Sequence, residues 1–330
     1  MKIVENTLAG RPERMTLRAA TRGSPLALWQ AERIATLLIA AQPGLSVELV
    51  AIETEGDRRQ DVPIAEIGGK GVFAVEIQRA VDDGRADFAV HSAKDLAPIT
   101  TPGLALACFA PRGDARDAMV GSTIADLPHG AVVATGSQRR RAHLAHLRPD
   151  LAFVELRGNM AARLSKIPSG GAIIVAAAAF IRLGLDEHLT EILDVDVMVP
   201  QVGQGAIAVE CRADDHRTHE LLSAIDDSLT RRCVTAERAF LAELGGDCEL
   251  PAGAHATLNA NSNIMLSAML ATDGAATGRL ERHTEVGSDP QHLGRSVALH
   301  LMDSIDKAKR RDASAMRKRS DDSSEPTSHR

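Results

Sequence analysis

Short apolar runs alternate with helical patterns along much of this chain, and this alternation constrains the fold more than any other feature. Residues 131–135, 151–156 and 172–177 are runs typical of buried strands, and a helical segment follows each of them. Parallel neighbours in one sheet need such a crossover, because the chain must return to the same edge before the next strand begins. The pattern therefore predicts a parallel, doubly wound α/β sheet here.

The first hundred residues show a similar alternation. We predict strands at 15–20, 45–52, 87–95 and 104–109, with helices at 24–41 and 72–81. Residues 206–210 form a further apolar run, which predicts a strand that returns to this first sheet. Two α/β lobes joined by such crossings define a central cleft, as in two-lobed binding proteins.

The last third of the chain predicts a small α+β domain. A strongly helical stretch at 230–244 ends at Gly245-Gly246, a typical helix stop. Strands are predicted at 254–258 and 264–271, and a closing helix at 292–305.

This pattern divides the chain into three domains and two terminal segments. We predict a first domain of residues 15–110 and 206–228, a second of residues 111–205 and a third of residues 229–309. Residues 1–14 and 311–330 are rich in charged side chains, and we predict both segments to be disordered.

Composition excludes several classes of function. The 330 residues carry a formal net charge of −6 and include no tyrosine, one tryptophan and six phenylalanines. A nucleic-acid partner is disfavoured, because the negative net charge provides no overall attraction for phosphates and the scarce aromatics provide no stacking platform for single strands. The four cysteines are widely spaced, so neither a metal site nor a disulfide framework is predicted. The longest apolar run, 172–181, is too short for a membrane span and the start shows no secretory pattern, so we expect a cytoplasmic protein.

The stretch from Val90 to Leu96 places three reactive groups at the end of a predicted strand. Ser92, Lys94 and Asp95 follow the apolar run directly, and side chains at the carboxyl ends of parallel strands line the ligand crevice of an α/β sheet. If the strand breaks at this point, both charged groups face one cleft. The alternative is a strand end with solvated charges.

Cationic side chains cluster after the strands of the second lobe. They are Arg139, Arg140, Arg141, Arg157, Arg163 and Arg182. The first three occupy the first turn of a helix, where positive charge opposes the helix dipole. Arg22 and Ser24 flank the N-terminus of the first helix. Arginine binds carboxylates through two parallel hydrogen bonds, so the pattern indicates a ligand with several carboxylates or phosphates. A solvated basic face and a simple helix cap are the competing interpretations.

Two loops carry further candidate residues. Residues 53–71 form a long polar loop without phosphate-loop glycine spacing, and we predict a mobile lid carrying Asp57 and Lys70. Cys248 lies in a loop that follows two glycines. Attachment or nucleophilic chemistry there competes with the buried, inert state that is usual for a free cysteine.

Seven motifs occur in the order found in the porphobilinogen deaminases, also called hydroxymethylbilane synthases. They are TRGSPLALWQ at 21–30, GGKGVF at 68–73, HSAKD at 91–95, RGN at 157–159, QVGQG at 201–205, TAERA at 235–239 and Cys248. Each is weakly specific alone. Together, over about residues 15–305, they show that the chain resembles this family.

The resemblance implies a fold, a cofactor and a reaction. The fold is two lobes like class II periplasmic binding proteins plus a cofactor-anchoring domain, in a monomer with its active site between the lobes. The cofactor is a dipyrromethane, attached by a thioether that corresponds to Cys248 here. Members are transferases of tetrapyrrole and haem biosynthesis, which join four porphobilinogen molecules head to tail with loss of ammonia and release linear hydroxymethylbilane.

The resemblance also implies roles for individual residues. Asp95 matches the catalytic aspartate. The cofactor-binding positions are matched by Lys94, Thr135, Ser137, Arg139, Arg140 and Arg163, and the substrate-binding positions by Arg22, Ser24, Arg157 and Arg182. Every pyrrole carries an acetate and a propionate, so the growing chain is the polyanion that the arginines indicate.

The chain departs from the family pattern at four positions. Asp247 stands where glycine is common, Glu66 where many members have lysine, Gly136 where serine is usual, and Glu55 where some members have arginine. These departures concern lid and cofactor contacts. The rival hypothesis is a non-catalytic two-lobed binding module for a small polycarboxylate, which shares the fold but leaves Asp95 and Cys248 unexplained.

Overall fold

The computed structural model describes residues 2–4, 15–58, 74–245, 251–271 and 280–322. Its strands are β1 (Lys2–Val4), β2 (Met15–Arg22), β3 (Leu45–Ile52), β4 (Phe88–Ser92), β5 (Leu104–Phe109), β6 (Asp117–Val120), β7 (Val132–Ala134), β8 (Ala152–Val154), β9 (Ala172–Ala176), β10 (Glu191–Ile192), β11 (Ile207–Arg212), β12 (Ala252–Leu258), β13 (Ile264–Ala271) and β14 (Leu280–Gly287). Its helices are α1 (Pro25–Ala41), α2 (Glu55–Arg58), α3 (Val75–Asp82), α4 (Gln138–Leu147), α5 (Met160–Leu164), α6 (Ala177–Arg182), α7 (His216–Ser223), α8 (Ser228–Glu243) and α9 (Pro290–Asp322).

The first lobe is built on a six-stranded sheet in the order β1-β3-β2-β4-β11-β5. Strands β3, β2 and β4 run parallel, as the alternation of strands and helices predicts, whereas β11 is antiparallel to both β4 and β5. The predicted return of the chain to this sheet is confirmed, because Ile207 pairs with Ser92 at the end of β4. The return strand therefore begins beside the residues that follow β4.

The second lobe contains a five-stranded sheet in the order β10-β6-β9-β7-β8. Strands β8, β7 and β9 are parallel, while β6 and β10 are antiparallel additions. Neither of these two strands was predicted, because β10 has only two residues and β6 has four, the first of which is the charged Asp117. Each lobe thus has a parallel centre completed by antiparallel strands, where a parallel sheet alone was predicted.

The third domain is an antiparallel sheet, β12-β13-β14, packed against α8 and α9. Phe240, Leu266 and Val297 are fully buried in its core, one from each of α8, β13 and α9. Strand β14 escaped prediction because its sequence, LERHTEVG, contains no apolar run, and its residues are exposed or half-buried. Its pairing along the whole of β13 defines it instead.

The carboxylate of Glu237 on α8 connects the third domain to both crossings between the lobes. It accepts hydrogen bonds of 2.6 and 3.1 Å from Arg112 in the first crossing and of 2.7 Å from the backbone N–H of Gly203 in the second. The backbone N–H of Ala256 on β12 donates a further bond of 2.8 Å. Burial alone would raise the pKa of Glu237, but the positive charge of Arg112, the nearby imidazole of His255 and the hydrogen bonds from Arg112 lower it to about 2.

Both terminal segments contain regular structure where disorder was predicted. Strand β1 pairs with β3, and α9 continues to Asp322, well beyond the helix predicted at 292–305. An ion pair of 2.6 Å between Asp303 and Lys307, one helical turn apart, supports this helix although its sequence turns polar. The prediction of disorder is therefore corrected at these residues, while 5–14 and 323–330 lie outside the described part. Within the described ranges, no helix combines the length and apolarity needed to cross a membrane.

Candidate active site

The carboxyl ends of β2 and β4 open into a cleft that contains Asp95. After β4 the backbone forms a short 3-10 turn, Ala93–Asp95, which leaves Asp95 half-buried. The strand predicted at 87–95 therefore ends at Ser92, and the break that would let Asp95 face the cleft is present. The lining of the cleft includes Arg22 and Ser24 beside Asp95, together with Gln30, His91 and Ser92. Ser24 caps α1, where its hydroxyl accepts a hydrogen bond of 3.4 Å from the backbone N–H of Ala27. Three predicted site residues, Arg22, Ser24 and Asp95, thus line one cavity.

The ammonium of Lys94 is held against the second crossing. Its Nζ donates a hydrogen bond of 3.2 Å to Oε1 of Gln204, a fully buried residue. Loss of hydration on burial lowers the pKa of Lys94 to about 8, and the charges of Arg140 and Arg163 act in the same direction, against Asp95. At neutral pH Lys94 is therefore a cation whose positive charge is not fully balanced by the neighbouring carboxylates.

Arg139 and Arg140 are buried, and both donate hydrogen bonds to the carboxylate of Asp117, which was not among the predicted site residues. Asp117, at the start of β6, is fully buried and accepts hydrogen bonds of 2.7 and 3.2 Å from Arg139 and of 2.9 Å from Arg140. Gln204 Nε2 donates a further bond of 3.0 Å to it. The two arginines hold the pKa of Asp117 well below its usual range despite burial. The side chain of Gln204 thus connects Lys94 to Asp117, the carboxylate that Arg139 and Arg140 share.

The predicted hydroxyl groups lie at the N-terminus of α4. Oγ of Ser137 accepts a hydrogen bond of 3.5 Å from the backbone N–H of Arg140, and Oγ1 of Thr135 accepts one of 3.2 Å from the N–H of Ser137. Gly136 lies between them, and a Cβ added there would approach Oε1 of Glu155 to 2.5 Å. A side chain at this position would therefore displace the flexible carboxylate of Glu155 and approach the backbone carbonyl of Leu156 to 3.2 Å.

Three further predicted arginines come from α5, α6 and the turn before α5. Nε of Arg163 donates to the carbonyl of Gly158 at 2.8 Å, and burial together with repulsion from Arg140 and Arg157 lowers its pKa to about 10. Nε of Arg157 lies 3.4 Å from a carboxylate oxygen of Glu155. These cations repel one another, so an anionic ligand would stabilise the site.

Arg182 reaches from the second lobe to the first. Its NH2 group donates a hydrogen bond of 2.6 Å to the carbonyl of Gly205, and its guanidinium lies over the ring of Trp29 on α1, 5.4 Å from the centroid. Burial lowers its pKa to about 10. Trp29 was not among the predicted site residues.

Some predicted residues cannot be compared with the structure. Cys248, Lys70, Asp247 and Glu66 lie outside the described residues, as does the side chain of Asp57. The backbone N–H of Glu55 donates a hydrogen bond of 3.0 Å to Glu76. Within the described part, no group of three or more histidine, cysteine, aspartate or glutamate side chains is arranged to hold a metal ion.

Comparisons with known proteins assign the chain to a family. Its two α/β lobes and third domain are matched by two family models: "Porphobilinogen deaminase, dipyromethane cofactor binding domain" over residues 17–220, and "Porphobilinogen deaminase, C-terminal domain" over residues 231–303. The chain belongs to the porphobilinogen deaminase family, as the sequence motifs predicted.

Curated relatives agree with the family models. The chain is 48% identical to a porphobilinogen deaminase of Roseiflexus castenholzii, over 88% of this chain and 97% of the relative. It is 44% identical to one of Acidithiobacillus ferrooxidans, over 87% and 94%. Among solved structures, it is similar to a TRAP periplasmic solute binding protein from Desulfovibrio salexigens (12% identity, 64% and 72% coverage, TM-score 0.40) and to the methionine binding protein MetQ (12%, 68% and 94%, 0.41).

Proposed function

We propose that this chain joins four porphobilinogen molecules head to tail, with loss of ammonia, and releases linear hydroxymethylbilane. The observation that carries this proposal is the half-buried carboxylate of Asp95 in a cleft beside cations whose pKa values are lowered, Lys94 and Arg163. Such a site suits a ligand with many carboxylates whose reaction develops positive charge.

We propose that the site holds a dipyrromethane cofactor, for which the donor set is suitable. Under this proposal, Cys248 anchors it by a thioether, and its carboxylates bind Lys94, Thr135, Ser137, Arg139, Arg140 and Arg163. When bound, the cofactor supplies the terminal pyrrole carbon to which the first substrate is joined. Arg139 and Arg140 would act from the position set by Asp117, since their guanidinium groups are already oriented by it.

Asp95 is proposed to act on the substrate as a general acid–base and as an electrostatic stabiliser. Departure of ammonia from the aminomethyl group leaves a positive charge that the pyrrole nitrogen shares. A carboxylate beside that nitrogen stabilises this charge and takes up the proton that the new carbon–carbon bond releases. Partial burial strengthens the effect, because less water screens the interaction.

The remaining cations are proposed to bind substrate carboxylates. Arg22 and Ser24 line the cleft beside Asp95 and suit the acetate and propionate of an incoming porphobilinogen. Arg157 and Arg182 would bind the same groups from the second lobe. Asp57 and Lys70 remain predicted lid residues.

The non-catalytic binding module is not favoured, because the family models and the curated relatives name an enzyme along most of the chain. The three-domain division, the monomeric state and the cytoplasmic location remain predictions from the sequence and the family resemblance. The domain division has support from three separate sheets, each with its own buried cluster.

Two measurements test the function. Asp95→Ala is expected to abolish turnover of porphobilinogen while thermal unfolding stays unchanged, whereas Asp83→Ala, an exposed carboxylate on the same lobe, retains full activity. Intact-protein mass is expected to exceed the polypeptide mass by one dipyrromethane, and this excess is absent in Cys248→Ser. Normal turnover by folded Asp95→Ala would refute the mechanism, and a cofactor on Cys248→Ser would refute the anchor.

A further inference from the structure

A second cavity, of about 320 Å³, lies between the first lobe and helices α8 and α9. One wall comes from β5 and from the segment that follows Asp95, through Phe109, Pro98 and Thr100. We propose that this cavity binds a small organic carboxylate with an apolar body, at a site separate from the cleft that contains Asp95.

The charge of the lining points to an anion. Among the described residues that line the cavity are three arginines, Arg231, Arg238 and Arg295, and no aspartate or glutamate. Arg231 already binds Asp226 through hydrogen bonds of 2.6 and 2.9 Å, so its charge is matched. Arg295 is exposed and lies 3.9 Å from the carboxylate of Glu243, so Arg238 is the arginine whose charge a ligand would compensate.

Arg238 is the strongest single indication. It is only 7% exposed, and its NH2 donates a hydrogen bond of 3.0 Å to the carbonyl of Pro98, which carries no charge to balance the guanidinium. Burial lowers the pKa of Arg238, and the negative charge of Glu210 opposes this shift. The carboxylate of Glu210 is itself engaged elsewhere, because it accepts a hydrogen bond of 2.8 Å from Gln78 and lies 3.3 Å from His91. A buried guanidinium of this kind is costly unless an anion pairs with it.

The walls favour an organic anion over inorganic phosphate. Leu106, Phe109, Ala239 and Ala242 supply apolar surface on opposite sides of the cavity. A ligand that buries a ring or chain against these residues gains from apolar contact as well as from pairing with Arg238. Arg295 lies at the rim, 69% exposed and 3.9 Å from Glu243, where it meets the outer end of the ligand or a second carboxylate.

The test uses 2-naphthoate, a planar apolar carboxylate, and its neutral analogue 2-naphthamide. Isothermal titration calorimetry on the holoenzyme is expected to show naphthoate binding that naphthamide lacks. Ala242→Leu fills the cavity without removing any charge, and it should weaken naphthoate binding at least about tenfold, as should Arg238→Gln. Arg217→Gln, an exposed arginine on α7, serves as the matched control and should bind as the unchanged protein does.

The proposal fails if naphthamide binds as well as naphthoate, or if Ala242→Leu leaves naphthoate binding unchanged. It also fails if Arg22→Gln, in the cleft that contains Asp95, abolishes the binding, because the carboxylate would then occupy that cleft. Thermal unfolding of each variant shows whether it is folded. Ala242→Leu keeps the test decisive if Arg238→Gln does not fold.

Discussion

The guanidinium carbon of Arg182 lies 5.4 Å from the centre of the Trp29 ring. Arg182 ends α6 in the second lobe and Trp29 lies on α1 in the first, so this cation–π contact joins the two lobes. Arg182 also binds the carbonyl of Gly205 in the second crossing. A residue predicted to bind substrate therefore also joins the two lobes.

We expect Arg182→Met to change the fluorescence of Trp29 and to raise the KM for porphobilinogen about tenfold, because a cation proposed to bind the substrate carboxylates is lost. Trp29 is the only tryptophan in the sequence, so the signal reports this contact alone. Steady-state kinetics and emission spectra provide the measurement. Arg217→Met is the control, and equal spectra for the two variants would contradict the contact.

Glu237→Gln is expected to lower the free energy of unfolding by about 3–5 kcal/mol, because it leaves the buried guanidinium of Arg112 without a counter-charge. Urea denaturation measures the change. The matched control is Asp303→Asn, which breaks an exposed pair with Lys307 and should cost less than about 1 kcal/mol. A loss as small as the control's would mean that the buried pair does not stabilise the crossings.

The same pair predicts a dependence of stability on pH. The pKa of Glu237 is about 2 in the folded protein against an ordinary value of 4.5. A lowered folded pKa means that the stabilisation is fully present above the ordinary value and is lost as the pH falls towards 2, a change on the order of 3 kcal/mol. The stabilities of the unchanged protein and Glu237→Gln should therefore converge as the pH falls. Parallel curves would contradict the assignment.

Asp117→Asn is expected to impair cofactor loading and to destabilise the second lobe by several kcal/mol, roughly 3–5. Arg139 and Arg140 share its carboxylate, and both lose their counter-charge in the variant. The fraction of molecules that carry the cofactor, measured by intact mass, tests the first effect, and thermal unfolding tests the second. Exposed Asp126→Asn in the same lobe is the control. Full loading with unchanged stability would show that the arginines do not depend on Asp117.

Lys94 predicts the response of the site to alkaline pH. Its pKa is about 8, so its ammonium is charged at neutral pH and loses its proton as the pH rises through that value. Loading of apoprotein from hydroxymethylbilane should therefore slow between about pH 7 and 9. Lys94→Arg keeps the cation in this range and should flatten the profile. Identical profiles for both proteins would assign the pH dependence to another group.

Local sequence determined much of the architecture. The Ser24-Pro25 pair sets the start of α1, because serine caps the first turn and proline fits its first position. Apolar runs located the parallel strands and the return strand β11. These features depend on neighbouring residues, so the sequence alone carries them.

Tertiary structure alone decided which charges are paired and which face a ligand. Arg139 and Arg140 were predicted in a helical first turn, but their burial against Asp117 depends on β6, which lies about 20 residues earlier and has no distinctive sequence. Gln204, Glu237 and Trp29 likewise gain their roles from partners far along the chain. Strand β14 exists because β13 offers it a complete edge. The contribution of an ion pair or an edge strand to stability depends on its burial and on its partners in the folded chain. Local periodicity in the sequence does not encode either of these.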